Sequence, residues 1–205
     1  MKLIQIAGYL GSGKTTLIIA LVKALAESGA KIAVMVNDVG EIPVDGRVMQ
    51  EYGLTVKDIG GGCICCQVAG SMMKTLEILS REQRPDLVII EPTGIAVPES
   101  IRKTALLTAA RTHISIGPTI VLFDTTRAEK LLTYETLQRL VATQLSDADI
   151  IALSKVDAAP EETITQAAAA VRGMNPSAEV LRLSVRTGEG ISDLSRAVLE
   201  MSIPA

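Results

Sequence analysis

The chain has 205 residues, of which 48% are hydrophobic and only 2% aromatic, so it is long enough for one α/β domain with an aliphatic core. Its formal net charge of −3 gives no basis for binding nucleic acid or an anionic membrane surface. No apolar run approaches the roughly eighteen residues of a membrane span and no signal peptide precedes the first strand, so a cytoplasmic protein is expected. In chain order, short and continuously apolar runs at 3–7, 32–36, 87–90, 119–123, 150–153 and 180–183 read as strands. Helical spacing follows at 16 to about 28, 66–80, 136–145, 160–172 and 191–201. Gly29 stands where a helix C-terminal glycine belongs. Apolar strands alternating with helices predict a parallel sheet covered on both faces, a three-layer α/β fold. No Ser- or Pro-rich linker or repeat divides the chain, so residues 1–205 are expected to form a single domain with its active edge at the strand C-terminal ends.

The first strand runs into Gly8-Tyr9-Leu10-Gly11-Ser12-Gly13-Lys14-Thr15, which fits G-x-x-x-x-G-K-[ST]. A chance glycine-rich turn is the alternative, but the order strand, glycine loop, helix is the context a phosphate-binding loop requires. Backbone N–H groups from Gly11 to Thr16 would surround phosphates, aided by the helix N-terminus. Lys14 would reach the β- and γ-phosphates, and the Thr15 hydroxyl would bind magnesium. The segment 37–47 carries Asp38, Glu41 and Asp45. It is either a solvated loop or a switch segment, in which Asp38 orients the attacking water or a magnesium-bound water.

Gly60-Gly61-Gly62-Cys63-Ile64-Cys65-Cys66 lies at or just before a helix start, a position that favours thiolate. Three cysteines within four residues do not make a disulfide framework. Buried small side chains and redox switching are alternatives, though adjacent Cys65 and Cys66 would pair only with strain. A thiolate site for zinc, copper(I) or a similar ion accounts best for the pattern. Its fourth ligand would be Glu41, water, a second protomer or His113, the single histidine.

The strand at 87–90 leads into Glu91-Pro92-Thr93-Gly94. Glu91 there is either a capping residue or an acid that contacts magnesium through water, with the Gly94 N–H reaching the γ-phosphate. Ser154-Lys155-Val156-Asp157 ends the next-to-last strand. An aspartate at this place accepts both hydrogens of the guanine N1/N2 edge, which adenine does not offer, while the lysine stem packs on the base. Ser184, Val185 and Arg186 follow the last strand and would close over the base with backbone N–H groups.

With these elements in order, the chain resembles the CobW/HypB/UreG family of GTPases over nearly its whole length. Glu91-Pro92-Thr93-Gly94 resembles a family mark, with Glu where most GTPases carry Asp. Cys63-Ile64-Cys65-Cys66 resembles the metal-binding CxCC motif of the CobW branch, and Val36-Asn37-Asp38-Val39-Gly40-Glu41 its switch loop. Asp38 stands where that branch usually has Glu, and Ser154 where N-K-x-D has Asn. With a single histidine the sequence holds no histidine-rich tract, and a GTPase domain alone is expected, without the further C-terminal domain common in that branch, so client recognition is expected from the switch loops and the surface near 95–112.

The resemblance implies a GTP-hydrolysing metallochaperone with GTP/GDP, magnesium, and zinc or another transition metal. It implies a client metalloprotein or cofactor enzyme as partner, and a nucleotide- or metal-dependent homodimer. A GTPase that reactivates a corrinoid or other cofactor enzyme is one alternative. A small-molecule kinase is another, but it leaves Ser154 to Asp157 and the cysteines unexplained.

Overall fold

The computed structural model describes residues 1–26, 29–36, 55–58 and 67–201. Among these residues, seven parallel strands form one sheet in the order β3-β2-β4-β1-β5-β6-β7. They are β1 Lys2–Gly8, β2 Ile32–Val36, β3 Thr55–Asp58, β4 Leu87–Glu91, β5 Ser115–Asp124, β6 Ile150–Ser154 and β7 Glu179–Leu183. The helices are α1 Lys14–Ala26, α2 Gln67–Ile78, α3 Pro98–Ala109, α4 Ala128–Thr133, α5 Glu135–Ser146, α6 Glu161–Met174 and α7 Ile191–Glu200.

Alternate residues of the central strands enter different cores, which is why these strands read as unbroken apolar runs. Ile4, Ile6, Val34, Ile89, Ile120 and Leu122 pack against Leu17, Leu21 and Leu25 of α1 and Leu194 and Val198 of α7. On the other face, Val121, Phe123, Ile151 and Leu153 meet α4, α5 and α6, while Ala33, Met35, Val88 and Ile90 meet α2 and α3. The expected three-layer fold is therefore present. Lys2 closes one side of it: its amine donates to the carbonyls of Val198, Leu199 and Met201 at the C-terminal end of α7.

The sequence expectation named six strands and missed β3, whose four residues Thr55-Val56-Lys57-Asp58 include two charges. Among the described residues it lies at the sheet edge, paired to β2, and an edge strand shows no continuous apolar signal. Helix α3 was also missed; it is buried only through Pro98, Ala105 and Thr108, too small a stripe to register as helical periodicity. β5 starts four residues before its apolar run because Gly117-Pro118 lies at an irregularity in its register with β1.

All strands point the same way, so their C-terminal ends form one edge. Register places Gly8 beside Leu122, Glu91 beside Val36, and Asp124 beside Ser154. The chain first adds strands on one side of β1, then crosses to the other side with β5. The glycine loop after β1 thus occupies the point where the winding reverses, the usual place for a ligand crevice in such sheets.

Candidate functional site

Between β1 and α1, the loop needs glycine for two separate reasons. A Cβ on Gly8 would stand 2.6 Å from the Leu122 carbonyl oxygen, and Gly11 and Gly13 have φ of +72° and +98°. The Ser12 N–H closes a turn on the Tyr9 carbonyl at 3.1 Å. Lys14 is buried and its amine donates to the Gly8 carbonyl at 3.1 Å. The neighbouring Thr15 hydroxyl donates to Glu91 Oε1 at 2.7 Å, joining α1 to the end of β4. An oxygen-only pair of this kind suits a hard divalent cation. Ser12 Oγ is buried and has no hydrogen-bond partner among the described residues.

Just beyond Glu91, Gly94 lies directly on the loop: a Cβ there would meet the Leu10 nitrogen at 2.7 Å. Gln144 of α5, buried, donates to the carbonyls of Gly94 and Ala96 at 3.1 and 2.9 Å and so fixes this approach.

The ends of β5 and β6 grip the same loop. Ser154 Oγ donates to the Ser12 carbonyl at 2.9 Å, Lys155 Nζ to that of Gly11 at 2.8 Å, and Arg127 Nη2 to that of Leu10 at 2.7 Å. Asp124, fully buried at the end of β5, accepts from Lys155 Nζ at 2.7 Å and Arg127 Nε at 2.8 Å. Thr126 adds two bonds to its other oxygen through its N–H and its hydroxyl. Burial pulls the Asp124 carboxyl upward as the largest single influence. The bonds from Lys155 and Thr126 and the charges of Lys155 and Arg127 together outweigh it and hold the group below the usual carboxylate range.

Next to the loop, a cavity of about 450 Å³ is lined by Ser12, Gly13 and Thr16 on one side and by Ser154, Lys155 and Asp157 on the other. Val185 and Arg186 border it as well. Lys155 takes a left-handed conformation with φ of 61°, which lets its side chain turn back over the loop while Asp157 faces Ser184. Asp157 Oδ1 accepts from Ser184 Oγ at 2.5 Å and Oδ2 from Arg186 Nε at 2.6 Å. The Ser184 bond first, then the Arg186 bond and charge, keep the Asp157 carboxyl below its ordinary range.

Gly11, Ser12, Gly13, Lys14, Thr15, Thr16, Glu91, Gly94, Ser154, Lys155, Asp157, Ser184, Val185 and Arg186 therefore stand along one sheet edge, around one loop and one cavity. Asp38, Glu41, Cys63, Cys65 and Cys66 lie outside the described residues. Among the described residues no group of three His, Cys, Asp or Glu side chains converges to hold a metal ion. His113 precedes β5, at the opposite edge of the sheet from the glycine loop. Sequence reasoning missed Asp124, Arg127 and Gln144. Asp124 had a usable signal, since an acid directly after an apolar strand is the same pattern that pointed to Glu91.

A glycine loop between the central strand and a helix, with an acid at the adjoining strand end, defines a P-loop nucleotide-binding α/β protein. The chain belongs to the CobW/HypB/UreG family, whose nucleotide-binding domain matches residues 2–182. It is 36% identical over 160 residues to the zinc chaperone YeiR of Escherichia coli, covering 77% of this chain and 47% of that protein. The zinc-bound YjiA GTPase from E. coli is similar in structure, with a TM-score of 0.65 and 25% identity over 88% of this chain and 56% of that one. Hydrogenase maturation factor HypB from Archaeoglobus fulgidus shares the fold, with a TM-score of 0.71 and 21% identity over 96% and 87% of the two chains. The chain spans about half the length of the curated relatives it matches, 47% of one and 50% of another. Among the described residues no helix is long and apolar enough to cross a membrane.

Proposed function

We propose that this chain is a GTP-binding and GTP-hydrolysing metallochaperone domain, and that hydrolysis drives delivery of zinc or another transition metal to a client metalloprotein. The observation that carries the reading is that the glycine loop and the Asp157 cavity are one continuous site. Ser154 and Lys155 line the cavity and donate to the loop's own carbonyls. A ligand that bears both a polyphosphate and a base with paired donors fits that shape.

In this reading Lys14 neutralises the β- and γ-phosphates, and the Gly94 N–H contacts the γ-phosphate. Thr15 directly, and Glu91 through water, would hold a magnesium ion, which when bound offsets the phosphate charge; their 2.7 Å contact supports this. Asp38 orients the attacking water. Asp157 accepts from the guanine N1 and N2 hydrogens, while Ser184, Val185 and Arg186 border the base. Cys63, Cys65 and Cys66, with Glu41, form the transition-metal site. Residues 1–205 act as a single domain, cytoplasmic and dimerising with nucleotide or metal. The names of the zinc chaperone YeiR and of the YjiA GTPase support both halves of the proposal.

The test is turnover of GTP and of ATP by the purified protein with magnesium, together with its bound zinc measured before and after nucleotide. Magnesium-dependent GTP hydrolysis that exceeds ATP hydrolysis, with zinc retained by wild type and lost from the triple variant Cys63→Ser, Cys65→Ser, Cys66→Ser, is expected. Equal use of both nucleotides, or zinc retained by the triple variant, overturns the corresponding half.

A further inference from the structure

We propose that Asp124 and Arg127 are positioning residues for the phosphate loop, the anchor of a clamp that holds three consecutive loop carbonyls. The carbonyls of Leu10, Gly11 and Ser12 each accept a bond from a different side chain, those of Arg127, Lys155 and Ser154. In a planar trans peptide the carbonyl and the next N–H point to opposite sides. Holding these carbonyls toward the ends of β5 and β6 therefore turns the N–H groups of Gly11 and Gly13 the other way, while that of Ser12 closes the turn on Tyr9. Glycines at φ of +72° and +98° have wide freedom of their own, so an orientation useful for phosphate needs outside support.

Asp124 supplies that support. Its Oδ2 takes both Arg127 Nε and Lys155 Nζ, and each of these two side chains also reaches one loop carbonyl. The Arg127 guanidinium bridges carboxylate and carbonyl with two nitrogens of one rigid plane and lies 5.8 Å from the Tyr9 ring centre. Lys155 also lines the cavity, so one buried carboxylate connects the base side of the site to the phosphate side. This inference rests on the nucleotide-site reading above, with the clamp added to it.

The experiment compares wild type with Arg127→Ala, Arg127→Lys and Asp124→Asn in the full chain. Affinities are measured for GDP, guanosine and inorganic tripolyphosphate with magnesium, alongside the thermal midpoint. Arg127→Ala is expected to weaken GDP and tripolyphosphate about ten-fold, the scale of one hydrogen bond to a charged group, while guanosine affinity holds. Its thermal midpoint falls, because buried Asp124 loses one of its two cationic partners, and the affinities are read well below that midpoint. Arg127→Lys recovers only part of the loss, because one amine does not bridge Asp124 Oδ2 and the Leu10 carbonyl as the fork does. Asp124→Asn weakens tripolyphosphate in the same direction.

Unchanged tripolyphosphate affinity in Arg127→Ala overturns the clamp, as does an equal loss of guanosine and GDP, which is what a general structural role would produce. Wild type that prefers ATP overturns the guanine reading alone; the clamp is then decided by tripolyphosphate, with adenosine and ADP as the paired probes. Wild type that binds no tripolyphosphate overturns both.

Discussion

Lys14 is buried at the start of α1 with its amine 3.1 Å from the Gly8 carbonyl, an arrangement that holds a positive charge inside the loop. Lys14→Ala is expected to lower GTP turnover about a hundred-fold or more, since it removes the cation set against developing phosphate charge. Phosphate release by the folded variant checks this, and near-normal turnover would sink the role. Asp157 presents a different chemistry. Its two oxygens already accept from Ser184 Oγ and Arg186 Nε, so they are aligned as acceptors before any base is considered. Xanthine carries an oxygen where guanine has its 2-amino group, and an amide at position 157 would donate to it. Asp157→Asn should therefore shift preference from GTP toward xanthosine triphosphate by about ten-fold or more. Competition between the two nucleotides on both proteins reads the shift; an unaltered ratio places base recognition elsewhere.

At the scale of elements, loops are held by side chains from helices and strands that sequence patterns did not flag. Gln144 looks like an ordinary polar residue of an amphipathic helix, yet it is buried and holds the Gly94 and Ala96 carbonyls. Gln144→Leu strands those carbonyls, and a loss of about 1–3 kcal/mol in urea unfolding is expected, with weaker binding of GTP than of GDP. Equal weakening of both nucleotides would separate Gln144 from the Gly94 approach. The junction of β5 with α4 gives a pH test. The folded Asp124 carboxyl lies below its ordinary value, so its contribution is complete above that value and is lost as pH falls through the folded one. Asp124→Asn should cost about 2 kcal/mol near pH 7, discounted because Arg127 and Lys155 are 34% and 40% exposed. The gap from wild type should narrow below about pH 3.8, the ordinary carboxylate value. Urea unfolding at pH 7 and pH 3 checks it, and a gap independent of pH would assign the cost to packing instead. These residues mark what the sequence could not supply. Glycine spacing, apolar runs and strand-end acids were legible because each is local. Arg127 and Gln144 act through partners 117 and 50 positions away, and no local pattern carries such a contact. β3 and α3 were missed for a related reason, since an edge strand and a helix resting on Ala105 and Thr108 show little apolar surface.

Across the whole molecule, one sheet edge ties the nucleotide loop to the segment that carries the cysteines. Asp58, the last residue of β3, pairs with Val36, and Val36 pairs with Glu91. Five positions further along the chain stands Cys63, and Cys66 immediately precedes the start of α2 at Gln67. Helix α2 then packs Met72 and Leu76 into the core that contains Val88 and Ile90 of β4, the strand ending at Glu91. One described anchor of the cysteine segment, α2, therefore packs against the strand whose terminal carboxylate meets Thr15, and the other, β3, reaches that strand through β2. A nucleotide that shifts Glu91 and Thr15 pulls on both anchors, so metal and nucleotide affinities are expected to be coupled. Linkage makes the coupling reciprocal, and about 1–3 kcal/mol, or five- to 150-fold in affinity, is typical of such systems. Such a change is sufficient to convert metal retention into transfer. Zinc affinity is measured by competition with a chelator of known strength, using nucleotide-free, GDP-bound and non-hydrolysable-GTP-bound protein. GTP affinity is measured in turn with and without zinc. A difference among the three states, matched by the same factor in GTP affinity and abolished in the triple cysteine-to-serine variant, is the expected result. Equal zinc affinity in all three states would rule the coupling out, and a difference that survives loss of the cysteines would place the ion elsewhere.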